Sequence, residues 1–240
     1  MSSFVIEASG LTKSFGHTHA LAGVDLSVRT GESLAIMGAS GSGKTTLLHC
    51  LAGITRPDAG TVGFLSGAGR VEVTGLNERE RSRLRREAFG FVFQQGLLIP
   101  ELTAVENVAL ALMLNGMPRA RAEDYGRGWL AALGLAGMEE RRIGQLSGGQ
   151  AQRVAIARAQ VTGASVVFAD EPTGALDSAT SADVMRALLD LTTGQGRTLV
   201  LVTHDAEVAR SCSRIVDMRD GRIVGERTRE RASAPAAVHS

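Results

Sequence analysis

The chain has 240 residues, 44% of them hydrophobic and 21% charged, a balance that fits a folded domain and excludes a disordered chain. Its net charge of +1 at pH 7 provides no general attraction to nucleic acid, so no nucleic-acid partner is expected. No apolar run reaches the roughly 18 residues that a membrane-spanning helix needs, so contact with a membrane is expected to go through a partner.

Short apolar runs alternate with helical patterns along most of the chain, which is typical of an α/β fold with a largely parallel sheet. Strands are predicted at residues 4–8, 33–37, 91–93, 165–169 and 198–202, with an irregular hairpin over 60–75. Helices are predicted at 44–51, 150–161 and 178–191. Between about 95 and 160 helical segments such as 105–114 and 120–133 replace the strands, which predicts an inserted helical subdomain. Residues 227–240 are rich in arginine, alanine and serine and are predicted to form a flexible tail.

A glycine-rich loop follows the predicted strand 33–37 and satisfies the G-x-x-x-x-G-K-[ST] pattern of a P-loop. Glycines let backbone N–H groups surround phosphate oxygens at a helix N-terminus. Lys44 is expected to neutralise the β- and γ-phosphates, and Thr45 to ligate Mg²⁺. A plain turn with a surface lysine is the alternative, and the flanking strand and helix disfavour it. The residues predicted to bind nucleotide here are Gly38, Ser40, Gly41, Ser42, Gly43, Lys44, Thr45 and Thr46.

Two acidic residues follow the strand predicted at 165–169. Asp170 is placed to hold Mg²⁺ through water, and Glu171 to polarise the water that attacks the γ-phosphate. An acidic pair at a strand end is more often a solvated turn, so this interpretation depends on the neighbouring motifs.

The sequence Leu-Ser-Gly-Gly-Gln at 146–150 opens the helix predicted at 150–161. Ser147 is a natural N-cap, and Gly148 and Gly149 leave backbone amides bare at a helix N-terminus, which makes a second anion site. One nucleotide needs only one such site. The second, which includes Gln150, is therefore expected to hold the γ-phosphate of a nucleotide bound to another subunit.

Together these motifs resemble the ATPase domain of ABC transporters over about residues 4–226, because 146–150 matches that family's signature sequence. The resemblance implies a P-loop NTPase core with a mostly parallel sheet, an antiparallel β-subdomain and an inserted helical subdomain. It implies ATP and Mg²⁺ as cofactors, ATP hydrolysis, and a head-to-tail homodimer with each nucleotide between two subunits. It further implies an integral membrane permease as partner, at the cytoplasmic face of the cell membrane.

The resemblance assigns further residues one at a time. Gln94 matches the glutamine that contacts Mg²⁺ and the attacking water, with Gln95 as the competing assignment. His204 matches the switch histidine at the γ-phosphate, and Phe15 matches an aromatic residue, more often tyrosine, that stacks on adenine. Asp177 lies in the loop that crosses between subunits. The predicted catalytic residues are Lys44, Gln94, Glu171 and His204.

Residues 91–95 and 169–178 are similar to one branch of the family, the lipoprotein-release, macrolide-efflux and antimicrobial-peptide-resistance ATPases, which act with a separate permease. The chain departs from that branch in a longer segment at 62–74, and in Ala151 and Gln160, where glutamine and leucine are commoner. The arginine run at 78–87 could meet lipid headgroups, but a solvated helix with surface ion pairs is the favoured interpretation.

Three other classes of protein compete with a transport ATPase. A DNA-acting ABC ATPase needs a long coiled coil for which the stretch between Thr45 and Leu146 has no room, and ribosome-acting members usually carry two ATPase domains. An inactive scaffold is disfavoured because Lys44, Asp170 and Glu171 are all present. A small-molecule kinase would not explain the second anion site.

Overall fold

The protein is described by a computed structural model over residues 4–67, 69–94 and 97–229. In chain order the elements are β1 Phe4–Phe15, β2 Thr18–Arg29, β3 Ser33–Met37, α1 Lys44–Leu51, β4 Ala59–Ser66, β5 Gly69–Glu72, α2 Glu78–Ala88, β6 Phe89–Phe93, α3 Ala104–Met113, α4 Arg119–Ala132, α5 Gly148–Gln160, β7 Val166–Asp170, α6 Ser178–Thr192, β8 Thr198–Thr203, α7 Ala206–Arg210, β9 Arg214–Arg219 and β10 Arg222–Thr228. No helix among these residues is long and apolar enough to cross a membrane.

A six-stranded sheet in the order β10-β9-β3-β8-β7-β6 forms the centre of the fold. Its strands pair in parallel from β9 to β6, and β10 alone is antiparallel. Alternate residues of a strand face opposite sides of the sheet, so a separate core lies on each side. Ala35 and Leu201 belong to the core that includes α3, α5 and α6. Ile36 and Val202 belong to the core that includes α1 and β1. The expected α/β class with a mostly parallel sheet is confirmed.

The antiparallel β-subdomain is a second sheet in the order β2-β1-β4-β5. The strand predicted at 4–8 is wrong in length, because β1 continues to Phe15 and pairs with β2, which the sequence did not reveal. The register shifts between Ala8 and Leu11, where Gly10 has a φ of 60°, and this irregularity hides the alternation of the strand. The hairpin predicted over 60–75 is shorter, since a 3₁₀ turn begins at Val73.

The helices α3, α4 and α5 lie between β6 and β7, where the helical insert was predicted. The helix predicted at 150–161 was wrong at its start, because Gly148 and Gly149 already belong to α5 behind the N-cap Ser147. A matching cap starts α3, where Thr103 Oγ1 accepts from the N–H of Glu106 at 3.2 Å. Both helices therefore begin with a capping box.

The arginine-rich segment forms helix α2, whose charges pair mainly within the helix. Glu78 accepts from Arg81 and Arg85, each at 2.7 Å, and Arg83 pairs with Glu87 at 2.8 Å. Hydrogen bonds from Arg85 and Arg81, in that order, lower the pKa of Glu78 to about 2. These contacts match the expected solvated helix.

The folded part of the chain extends past the predicted boundary at 226. Strand β10 continues to Thr228, and Arg227 within it donates to both carboxylate oxygens of Asp217 on β9 at 2.9 Å. Residues 230–240, most of the predicted tail, lie outside the described residues.

Candidate functional site

The carboxyl ends of four neighbouring parallel strands bring the predicted site residues to one edge of the sheet. The P-loop follows β3, Gln94 follows β6, Glu171 follows β7 and His204 follows β8. Such an edge is the usual ligand site of open α/β sheets. A cavity of about 790 Å³, called the P-loop cavity below, is lined by Ala20, Ala39, Ser40, Gly41, Gly43, Lys44, Thr45, Thr46, Gln94, Glu171 and His204.

The P-loop is shaped by positions that only glycine can occupy. Gly43, the N-cap of α1, has a φ of 99°, and a Cβ there would overlap the carbonyl oxygen of Ala20. A Cβ on Gly38 would overlap the carbonyl oxygen of Met218. The loop therefore presents backbone rather than side chains to the cavity, which is how a phosphate cradle is built.

Two polar side chains inside the loop, those of Lys44 and Ser42, can bind an anion. Lys44 is 7% exposed, and its Nζ donates to the carbonyl oxygens of Gly38 and Ala39 at 2.8 and 2.9 Å. Ser42 Oγ is buried and has no hydrogen-bond partner among the described residues. A buried hydroxyl without a partner is costly, so both groups fit a phosphate bound in this loop.

Thr45 and Asp170 meet beside the loop, where Thr45 Oγ1 donates to Asp170 Oδ1 at 3.1 Å. Burial raises the pKa of Asp170, and the Glu171 carboxylate adds to this, whereas the hydrogen bond from Thr45 opposes it. Hydroxyl and carboxylate oxygens are ligands that Mg²⁺ accepts alongside phosphate oxygens and water. The donor set fits the predicted metal.

Glu171 and His204 form a pair at the cavity wall, with Glu171 Oε1 2.9 Å from His204 Nδ1. Glu171 has a φ of 48°, which is unusual for a residue with a side chain. Its N–H donates to the carbonyl of Val202 at 2.9 Å and holds this conformation. Backbone strain of this kind concentrates at functional sites.

The neighbours of Gln94 include two residues that the sequence analysis missed. A Cβ on Gly174 would lie 2.9 Å from Gln94 Nε2, so glycine at this position leaves room for the Gln94 side chain. Gln152 Nε2, on α5, donates to the carbonyl of Phe93 at 3.0 Å. The glutamine two residues after Gln150 was a possible signal for this second contact. Gln95, the competing assignment, lies outside the described residues.

The signature segment, defined as Ser147, Gly148, Gly149 and Gln150, does not line the P-loop cavity. Ser147 Oγ accepts from the N–H of Gln150 at 3.3 Å, and Gln150 Oε1 accepts from the N–H of Ser147 at 2.9 Å. Within the described chain no hydrogen-bond acceptor takes up the N–H groups of Gly148 and Gly149. Gly148 is exposed, so its amide is available to an anion from outside the subunit, whereas Gly149 is buried.

Phe15 and Asp177 also lie outside the P-loop cavity. Phe15 is 55% exposed at the end of β1, and Lys13 Nζ lies 5.5 Å from its ring centroid. Asp177 is the N-cap of α6, and the hydrogen bond that it accepts from the N–H of Thr180, 3.0 Å long, lowers its pKa. Neither arrangement opposes the predicted role, and both residues are accessible from solvent.

A comparison with protein-family models matches residues 21–174 to the ABC transporter model. The chain belongs to the ABC transporter family. Among curated ABC relatives it is 46% identical to the macrolide export ATP-binding/permease protein MacB of Azoarcus sp., over 92% of this chain and 34% of that protein. It is also 46% identical to the pyoverdine export ATP-binding/permease protein PvdT of Pseudomonas aeruginosa, over 97% of this chain and 35% of that protein. The chain thus spans about a third of the length of these relatives.

Solved ABC structures share the whole fold. The dimeric structure of MJ0796, a bacterial ABC transporter cassette, has a TM-score of 0.84 at 38% identity and covers 93% of this chain and 98% of that one. A second dimeric structure of the same cassette, in a post-hydrolysis state bound to ADP and phosphate, has a TM-score of 0.83. These matches confirm the predicted family, its macrolide-efflux branch and the fold class.

Proposed function

We propose that this ABC chain binds and hydrolyses Mg-ATP and thereby drives a membrane permease. The main supporting observation is the P-loop cavity, in which Lys44, Gln94, Glu171 and His204 line one space of about 790 Å³. A small-molecule kinase or a non-catalytic scaffold would not need this set of residues together with a separate signature segment.

Each residue has a role set by its position. Lys44, which now donates to loop carbonyls, turns to the β- and γ-phosphates when ATP enters. Thr45, Asp170 and Gln94 are the residues that would hold Mg²⁺. When bound, Mg²⁺ neutralises charge on the phosphate oxygens.

Glu171 accepts a proton from the attacking water as general base, held in place by His204 at 2.9 Å. His204 is two-thirds exposed, with 67% of its side chain accessible, so its other ring nitrogen can reach the γ-phosphate. Phe15 stacks on adenine from the exposed end of β1.

The signature segment acts on the nucleotide of a second subunit. Within one subunit it does not line the P-loop cavity, yet Ser147 and Gly148 are exposed and the N–H of Gly148 can meet an anion. A head-to-tail homodimer brings the two sites together, because each nucleotide then lies between the P-loop of one subunit and the signature segment of the other. The dimeric ABC cassettes with the same fold support this arrangement. In it, Asp177 lies in the loop that crosses between subunits.

A groove beside the Gln94 segment supports contact with a permease. It encloses about 340 Å³, and Phe91, Phe93, Leu114, Arg85 and Arg86 are among its lining residues. Leu114 is 59% exposed, which leaves apolar surface for a partner. The names of the curated relatives combine ATP binding with a permease, which supports the proposal that this chain acts at the cytoplasmic face of the membrane.

The proposal is tested by tagging the Glu171→Gln variant in its native host, solubilising membranes gently with Mg-ATP and identifying what co-purifies. A polytopic membrane protein is expected with this variant and in smaller amount with the Lys44→Ala control, which cannot close around ATP. Recovery of only soluble or ribosomal partners, while a control membrane protein is extracted intact, would contradict the transport role and favour a non-transport ABC ATPase.

A further inference from the structure

A buried polar joint lies where the end of α5 meets the core, and it is formed by Gln160, Thr192 and Arg197. Gln160 and Thr192 are both 0% exposed. Gln160 Nε2 donates to Thr192 Oγ1 at 2.6 Å, and Thr192 Oγ1 donates to the carbonyl of Leu188 at 2.6 Å. Arg197 Nη1 donates to Gln160 Oε1 at 2.7 Å and to the Gln160 carbonyl at 3.2 Å. The polar atoms of Gln160 are therefore all satisfied inside the protein.

Arg197 is a cation held by neutral groups. Among the described residues no carboxylate lies within ion-pair distance of it; its guanidinium instead lies 5.7 Å from the ring centroid of Trp129 on α4. Burial lowers the pKa of Arg197. Because a partly desolvated cation depends strongly on each acceptor it retains, the bond to Gln160 is costly to lose.

The joint connects the helical insert to the core. Gln160 and Trp129 belong to α5 and α4, whereas Thr192 ends α6 and Arg197 directly precedes β8. Leucine is commoner at position 160 in the branch that the sequence resembles. Since apolar replacement of a buried polar cluster is often neutral for stability, packing alone does not account for Gln160. Hydrogen bonds, unlike an apolar contact, fix a direction as well as a distance.

We propose that Gln160 and Arg197 are positioning residues that set the angle of α5 and thereby place the signature segment against the nucleotide of the partner subunit. This inference rests on the proposed function. Gln160 ends α5 and Gly148 begins it, so the joint and the signature segment lie at opposite ends of one helix of 13 residues. Such a helix is about 20 Å long, and a tilt of about 10° at Gln160 would move the signature segment by roughly 3 Å. That shift exceeds what hydrogen bonds to a phosphate tolerate.

The test uses the Glu171→Gln chain as parent, with saturating Mg-ATP, and measures the monomer–dimer dissociation constant by sedimentation equilibrium. Gln160→Leu, Arg197→Met and the double variant are compared with Arg127→Met, which removes an exposed arginine of α4 that pairs with Glu140. The ATP affinity of each monomer is measured at protein concentrations too low for dimerisation. This second readout reports on the P-loop and not on the signature segment.

Each single variant is expected to weaken ATP-driven dimerisation roughly tenfold, while monomer affinity for ATP stays unchanged. The double variant is expected to dimerise no more weakly than the single variant with the larger defect, because both substitutions break the hydrogen bond between Gln160 and Arg197. Arg127→Met is expected to match the parent. If Arg197→Met does not fold, Arg197→Lys replaces it, since lysine keeps the charge but loses the planar fork.

Unchanged dimerisation in the single variants would overturn the inference, even if their melting temperatures fall, because the joint would then serve stability alone. Strictly additive effects in the double variant would also overturn it, since Gln160 and Arg197 would then act independently. A parent that forms no dimer in Mg-ATP would instead refute the proposed function, and this inference with it.

Discussion

The P-loop and the signature segment are both anion sites at helix N-termini, but they differ in what surrounds them. The P-loop lies in a cavity with Lys44, Glu171 and His204 from neighbouring strands. The signature segment has its own capping box and the exposed amide of Gly148, and none of its residues lines the cavity that holds Lys44 and Glu171. One site therefore holds the chemistry, and the other offers only backbone and a hydroxyl. This difference indicates that the signature segment completes a site that begins on another subunit.

The largest effect is expected from Glu171→Gln, which removes the proposed general base on the P-loop side. Hydrolysis should fall at least about a hundredfold while ATP binding persists, because the amide cannot accept the proton of the attacking water. Single-turnover hydrolysis and ATP binding are measured on the same preparation. Near-normal turnover would exclude Glu171 as the base.

Lys44→Ala tests the other end of the P-loop cavity. ATP affinity should fall at least about thirtyfold, because charge-assisted hydrogen bonds to the phosphates are lost. Arg83→Ala is the control, since Arg83 is a cation with a side chain 71% exposed that pairs with Glu87 at 2.8 Å on α2 and does not line the P-loop cavity. Equal ATP affinity in the Lys44 variant and the parent would show that the P-loop assignment is wrong.

Ser147→Ala tests the signature segment against Thr103→Ala, because both residues cap a helix through the same capping box. Each change should cost about 1 kcal/mol of stability, as is usual for a lost N-cap. Only Ser147→Ala should weaken ATP-driven dimerisation, by roughly tenfold, since its hydroxyl also reaches the phosphate of the partner's nucleotide. If the two variants dimerise equally, Ser147 contributes nothing to dimerisation beyond capping its helix.

The smallest effect is expected from Phe15→Ala, which removes a ring at the exposed end of β1. ATP affinity should fall by about threefold to tenfold from the loss of stacking. GTP affinity should fall by a similar factor, because stacking does not distinguish the two bases. Unchanged affinity for both nucleotides would show that adenine does not stack on Phe15.

The sequence predicted the edge of the sheet where the site lies, because the P-loop, Asp170 and His204 each follow an apolar run that became a buried strand. It ended β1 at residue 8, since the irregular register around Gly10 breaks the alternation of that strand, and it missed β2 although Val24, Leu26 and Val28 are apolar at alternate positions. Contacts between distant segments, such as Gln152 with Phe93 or Gln160 with Arg197, leave no periodic signal and need the folded chain. The unusual glutamine at 160 was visible, but its partner was not.

The most direct test of the shared site mixes two variants in the Glu171→Gln background. One carries Lys44→Ala and so lacks a working P-loop. The other carries Ser147→Glu, which puts a carboxylate that repels phosphate at an exposed position. Each alone should stay monomeric in Mg-ATP, and the mixture should form dimers with one ATP per dimer, because only a mixed dimer has one intact pair of P-loop and signature segment. A mixture that remains as monomeric as its components, at concentrations where the parent dimerises fully, would contradict a nucleotide held between two subunits.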